Sequence, residues 1–114
     1  MLVRVVAVGV FVTIAVPNLA QAQTQTQQNV MTHIARLVAI SNRCPALKPN
    51  NMMIGILLRQ HAINVEKPPY SDFIVARGNE YATELGGMDT QAVCSAGRKM
   101  YGKTGDKVQD MLRD

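Results

Sequence analysis

The sequence predicts an all-α fold: a small bundle of four to five short helices cross-linked by one disulfide. Three observations lead to this prediction. Apolar residues recur at helical spacing in successive segments of the chain. Proline and glycine residues separate these segments at short intervals. The chain also contains two cysteines that lie far apart in the sequence.

Residues 1–22 have the pattern of a cleavable signal peptide. Arg4 provides the positive start, Val5–Val16 is an uncharged apolar run, and small residues flank a cleavage site between Ala22 and Gln23. The alternative is an uncleaved membrane anchor, but spanning a bilayer takes about 20 apolar residues and this run is shorter. We therefore expect an extracytoplasmic protein, periplasmic or secreted, with no stable membrane insertion after cleavage.

The cysteines Cys44 and Cys94 both lie in the part that would be exported. An even number of cysteines in an oxidising compartment predicts that they pair, and two cysteines allow a single connectivity. Free buried thiols are the alternative. A zinc site is not favoured, because His33 and His61 lie at no ligand spacing to the cysteines.

The net charge does not indicate a nucleic-acid partner. The whole chain carries +4, and loss of Arg4 with the signal peptide leaves +3. Basic residues are scattered singly, with Arg98-Lys99 as the one doublet after residue 22, whereas nucleic-acid binders cluster them.

The exported part begins with a polar segment. We predict that residues 23–29 are a disordered Gln-rich leader. We predict that residues 30–114 form a single helical domain. The first helix runs from Val30 to Cys44, because Pro45 disfavours helical geometry in the residue before it. Its apolar face consists of Val30, Met31, Ile34, Leu37 and Val38.

The second helix follows the turn at 45–50, with Asn50 or Asn51 as its N-terminal cap. It is apolar on nearly every side, which is typical of a central, mostly buried helix. A short buried strand would also fit, but the segment continues to Ala62, which favours a helix. Gly55 predicts close approach of a neighbouring backbone.

The third helix is predicted to begin at Ser71 as its cap and to end at Gly86-Gly87. Its inner face consists of Phe73, Ile74, Tyr81 and Leu85.

A fourth helix is predicted from the Asp89 cap to Gly102, with basic residues in its last turn. Asp106 is expected to start a short terminal helix that packs Val108, Met111 and Leu112 on the other helices.

One segment matches a nucleotide-binding motif literally. Gly97–Thr104 spells G-x-x-x-x-G-K-T, the P-loop pattern. That chemistry requires a glycine-rich loop between a strand and the N-terminus of a helix, and here the motif begins inside the fourth helix. We interpret the match as coincidence.

The remaining candidate ligands are histidines and methionines. His33 and His61 each lie beside the apolar face of a predicted helix. We expect each ring either to be hydrogen-bonded or to be half-exposed, and to titrate near pH 6.5. Met52-Met53 could indicate soft-metal binding, but methionine more often fills irregular cores or adaptable binding surfaces. The sequence thus predicts no catalytic residue, no bound metal and no cofactor.

In overall plan the chain resembles the HdeA-type acid-stress chaperones. The resemblance rests on the signal peptide, the helical body, two cysteines about 50 residues apart, and a cysteine in a late helix at Ala92-Val93-Cys94. A charged amphipathic tail at residues 106–113 adds to it. The first cysteine departs from the family's pattern, since Arg43-Cys44-Pro45 follows a helix instead of opening one. The resemblance implies a role in stress, in which the protein binds other proteins in acid.

We expect a non-enzymatic protein that binds another protein or an envelope component. The apolar residues expected to form the interaction surface are Met52, Met53, Ile56, Leu57 and Phe73. The alternative is a carrier of a small ligand or a metal, with a pocket near Met52, Met53 and His61. An enzyme is the third choice.

Overall fold

The computed structural model describes residues 23–114 and shows four helices and a two-stranded sheet in that part of the chain. The helices are α1 (Gln25–Arg43), α2 (Asn51–Gln60), α3 (Tyr70–Leu85) and α4 (Thr90–Tyr101). The strands are β1 (Lys48–Pro49) and β2 (Leu112–Arg113), which pair antiparallel. The fold is therefore mostly helical, as predicted, with the two-residue strands β1 and β2 as the β structure of residues 23–114.

The segment expected to be a disordered leader is the first turn of α1. Thr24 caps this helix: its hydroxyl accepts a hydrogen bond from the Gln27 N–H, and the Gln27 side chain accepts one from the Thr24 N–H. This reciprocal pair is a capping box, and the T-x-x-Q pattern that encodes it was overlooked. Gln27 also donates to the His61 carbonyl oxygen at 2.8 Å. The boundary predicted at residue 30 is therefore wrong.

The end of α1 lies where proline predicts it, with Cys44 as the C-terminal cap. The Arg43 guanidinium donates to the carbonyl oxygens of Leu85 and Met88, so that the end of α1 is tied to the end of α3. Val38, which was predicted to lie on the apolar face of this helix, is 39 % exposed.

The second segment is a helix, with Asn50 as its cap, but it is not buried. The Asn50 side chain accepts from the Met53 N–H and donates to the Asp110 carbonyl oxygen. No residue of α2 is buried, so the prediction of a central helix is wrong. The reason is tertiary: α3 packs along α1, which leaves α2 covered on one side only. The predicted close approach of a neighbouring backbone at Gly55 is also wrong. A Cβ built at Gly55 would meet only the end of the Arg59 side chain, at 3.4 Å.

The third helix begins two residues earlier than predicted and without a side-chain cap. Pro69 occupies the cap position, and Ser71 lies inside the helix. A proline fits here because the first turn of a helix leaves its N–H groups without intrahelical partners. The predicted end at Gly86 is confirmed.

The fourth helix has both predicted ends. Asp89 accepts from the Gln91 N–H at 3.0 Å, and Gly102 is the C-terminal cap. Gly97 lies at a close approach of α4 to its neighbours, because a Cβ built there would lie 2.6 Å from Ile40 Cγ2 and 3.0 Å from Leu47 Cδ1.

The predicted fifth helix is absent from the described residues. After α4 the chain turns back, and the N–H groups of Asp106 and Lys107 donate to the carbonyl oxygens of Lys99 and Met100. These bonds satisfy the carbonyls at the end of α4, which have no partner within the helix. The segment then ends in β2, and Met111 and Leu112 are buried against the bundle, as expected for their side chains.

Two apolar clusters form the interior. The main cluster lies between α1, α4 and the C-terminal segment and includes Leu37, Ile40, Leu47, Val93, Tyr101 and Met111. The second cluster consists of Val30, Met31, Ile34 and Ile63, with Tyr70, Phe73 and Ile74 against it. The disulfide is within the main cluster: Cys44 and Cys94 lie at bonding distance, with their Cα atoms 5.5 Å apart, as predicted. No helix in residues 23–114 has the length and apolar character needed to cross a bilayer.

Candidate functional site

The predicted interaction surface is divided between the interior and the exterior. Met53 and Leu57 pack against the main cluster, and Phe73 packs against the second cluster. Met52 points away from both and is 65 % exposed, and Ile56, one helical turn later, is half-buried outside both clusters. Met52 and Ile56 therefore form an outward ridge, named here the α2 ridge.

The way α2 is held makes this ridge unusual. Six of its ten residues are large and apolar, yet none is buried. Its inward side chains, Met53, Ile54, Leu57 and Leu58, contact the clusters while remaining half-exposed. Such a helix is stabilised by partial burial of apolar area, and an additional apolar partner would bury more of it.

A second apolar surface is a groove between α1 and α3 with a volume of about 400 Å³. Val38 and Val75, which are 39 % and 61 % exposed, lie along it. Small residues such as Ala35, Ala39 and Gly78 line the rest. The sequence analysis missed this groove because it assigned Val38 to the buried face; the small residues on both helices were the available signal.

A polar cluster joins α1, α3 and α4. Tyr101 is fully buried, and its hydroxyl lies 2.8 Å from His33 Nδ1. The Arg36 guanidinium reaches the hydroxyls of Tyr101 at 3.5 Å and Tyr81 at 2.9 Å, and stacks over the Tyr81 ring at 4.7 Å from its centre. His33 was expected to be a satisfied or half-exposed histidine, but its hydrogen-bond partner Tyr101 lies 68 residues away along the chain and was not predicted.

Burial determines the titration of this cluster. Desolvation lowers the pKa of His33 below its usual value of 6.5, and the positive charges of Arg36 and Lys107 lower it further. Desolvation also raises the pKa of Tyr101, so that its hydroxyl stays protonated. Near neutral pH the cluster contains one cation, Arg36, beside a neutral imidazole.

The residues of the alternative carrier site do not lie at a described cavity. His61 is the C-terminal cap of α2, where its carbonyl oxygen accepts from Gln27. Residues 23–114 contain no group of three or more His, Cys, Asp or Glu side chains that could hold a metal ion.

The P-loop match lies at the end of a helix, as the sequence indicated. Gly97 to Tyr101 belong to α4, and Gly102, Lys103 and Thr104 line a surface cavity of about 520 Å³. Two arginines on this cavity are already paired, Arg98 with Asp114 at 3.0 Å and Arg113 with Asp110 at 3.2 Å. The strand and helix N-terminus that phosphate binding requires are not found at these residues.

No protein-family model, curated protein or solved structure matches this chain. Its function must therefore be inferred from the surfaces and side chains described above.

Proposed function

We propose that the protein is exported, is not an enzyme, and binds apolar segments of other proteins at the α2 ridge under acid stress. The observation that carries the proposal is α2 itself, a helix with six large apolar residues and no buried residue. Apolar side chains that are contiguous on a surface and only partly covered are a common feature of protein interaction sites.

Methionine suits a surface that binds varied partners. Its side chain is unbranched and polarisable, so it adapts to different apolar shapes. Met52 is the most exposed large apolar residue among those described, and it lies at the start of α2, where a partner can approach freely.

The charge of the exported chain supports a role in acid. Near pH 2 its carboxylates would be largely protonated, while 11 Lys and Arg residues and two histidines remain charged, a total of about +13. Repulsion of this size opposes the compact state. Loosening of α2 would then expose Met53 and Leu57 together with the ridge, while the disulfide would limit expansion of the chain.

Export is part of the same proposal. The residues of the signal peptide, including the cleavage position at Ala22, lie outside the described residues. The paired cysteines are compatible with an oxidising compartment, because cytosolic conditions keep most thiols reduced.

The experiment is light scattering of an unrelated, acid-denatured client protein, with and without the exported protein, at about pH 2 and about pH 7. We expect suppression of aggregation at low pH and its loss near neutrality. Absence of protection at low pH would reject the acid-stress function, and equal protection at both pH values would indicate a constitutive binding surface.

A matched pair of variants locates the surface. Met52→Gln with Ile56→Gln makes the α2 ridge polar, and Val38→Gln with Val75→Gln does the same to the groove between α1 and α3. Protection should be lost in the first variant and retained in the second. The reverse outcome would assign client binding to the groove and reject the α2 ridge.

The second candidate function is that of a carrier of a small apolar ligand. The groove between α1 and α3 favours it, because its volume of about 400 Å³ is within the usual range of ligand sites, about 300–1,000 Å³. Native mass spectrometry of protein purified from its own compartment tests it, because a bound ligand or metal would appear as added mass. An unliganded monomer would speak against this alternative.

A further inference from the structure

The His33, Arg36 and Tyr101 side chains form a chain of hydrogen bonds. A guanidinium has donors and no acceptor, so Arg36 donates to the Tyr101 hydroxyl oxygen at 3.5 Å. The Tyr101 hydroxyl also carries one proton of its own, which it can donate to His33 Nδ1, 2.8 Å away. In this arrangement Nδ1 accepts, and the neutral imidazole carries its proton on Nε2.

Protonation of His33 is incompatible with this arrangement. Nδ1 would then carry a hydrogen and would have to donate to the Tyr101 oxygen. The hydroxyl proton of Tyr101, whose side chain is fully buried, would lose its acceptor. A buried donor without a partner destabilises the folded state.

The surrounding charges add to this cost. Arg36 on α1 and Lys107 on the C-terminal segment both act on His33, and both are positive. The group that α4 contributes is the Tyr101 hydroxyl, and the group that α3 contributes is the Tyr81 hydroxyl, which already accepts from Arg36. Asp106, an exposed carboxylate next to Lys107, acts on the Tyr101 hydroxyl.

We propose that the His33–Tyr101 contact is an acid-released latch that holds the end of α4 and the C-terminal segment against α1. The segment depends on Tyr101 directly, because the Met111 N–H donates to the Tyr101 carbonyl oxygen at 2.9 Å. Release of Tyr101 therefore loosens the packing of Met111 and Leu112, which are buried in the main cluster.

The sign of the pH dependence follows from the lowered pKa of His33 in the folded protein. In the unfolded chain the imidazole titrates near pH 6.5, so below that pH the unfolded state binds a proton that the folded state does not. Stability from the latch is complete above about pH 6.5 and declines as the pH falls towards the folded-state pKa. This device goes beyond client binding, and it operates whether or not the α2 ridge binds other proteins.

The test is urea unfolding of the exported, disulfide-bonded protein at about pH 7.5 and about pH 5.5, a range chosen above the pKa of most carboxylates. One histidine that is protonated only in the unfolded state changes the unfolding equilibrium by up to about tenfold over this range. We expect His33→Gln to remove this change, because its amide does not titrate. His61→Gln, the same substitution at the other histidine, should retain it.

Equal pH dependence in the wild type and His33→Gln would overturn the proposal. Should His33→Gln fail to fold, nitrogen NMR of the wild type decides the question. A proton on Nε2 and a folded-state pKa below 6.5 support the latch, whereas a proton on Nδ1 or a pKa at or above 6.5 rejects it. Client binding at the α2 ridge is tested separately by the Met52 and Ile56 variant, so failure of one proposal leaves the other intact.

Discussion

Gly97 provides the most direct test of the packing between α1 and α4. In a helix interior, alanine is favoured over glycine by about 1 kcal/mol, so Gly97→Ala would stabilise α4 if its surroundings were open. They are not open, because the new Cβ would lie 2.6 Å from Ile40 Cγ2 and 3.0 Å from Leu47 Cδ1. Carbon atoms in contact normally lie about 3.5–4.0 Å apart, and overpacking of a core typically costs about 1–3 kcal/mol.

Gly78→Ala is the matched control. Gly78 lies inside α3, and a Cβ built there meets no atom within 4 Å, so this variant should gain about 1 kcal/mol. Because the helix-propensity gain is common to both variants, their difference isolates the clash at Gly97, about 1–3 kcal/mol. For a domain of this size each kcal/mol corresponds to about 4–8 °C in Tm.

The assay is urea unfolding of the disulfide-bonded protein, with unchanged m-values as the sign that the unfolded state is unaffected. A third variant locates the contact: in an Ile40→Ala background, Gly97→Ala should be less costly, since its closest partner atom is gone. Equal stabilisation by Gly97→Ala and Gly78→Ala would refute the close approach of α1 and α4.

Three further substitutions test the cross-link and two local backbone features, and one mass measurement tests the cleavage site. Cys94→Ala should lower the free energy of unfolding by about 4 kcal/mol, because the disulfide closes a loop of 50 residues. Cys44 should then react with a thiol label once the protein is denatured. A variant as stable as the wild type would exclude the bridge in solution. Thr24→Ala should lose about 1 kcal/mol in urea unfolding, and no loss would mean that the capping box does not form. Ala62→Gly should gain about 1 kcal/mol, because Ala62 has a φ of 54°, where a Cβ is disfavoured. Intact-mass analysis of the exported protein should find Gln23 as the first residue, and recovery of the full chain in the membrane would contradict cleavage.

Local sequence signals predicted most of the helix ends, because capping is a property of a few neighbouring residues, but the predicted cap of α3 at Ser71 was wrong. Pro45 ends α1, Asn50 and Asp89 cap α2 and α4, and glycines end α3 and α4. The cysteine pairing was equally predictable, since two cysteines permit one bridge. The same kind of signal was overlooked at Thr24, where the capping box starts α1 five residues before the predicted start.

Burial could not be predicted in the same way, because it depends on which helices become neighbours. The sequence of α2 is apolar around its circumference, yet α3 packs along α1 and leaves Met52 in solvent. The C-terminal segment shows the same limit: its donors bond to the carbonyls at the end of α4, so residues expected to form a fifth helix form turns and β2.

The sequence by itself determined the helices, the cross-link and the charge of this protein, because those properties belong to short segments or to composition. Only the tertiary structure decided which helices and which side chains contact each other. It brings Tyr101 to His33 across 68 residues, and within residues 23–114 it leaves Met52 of the α2 ridge 65 % exposed. The two proposals rest on the His33–Tyr101 contact and on the exposure of Met52, and each depends on how elements distant in the chain pack together. The periodicity of apolar residues within one helix carries no information about which elements become its neighbours.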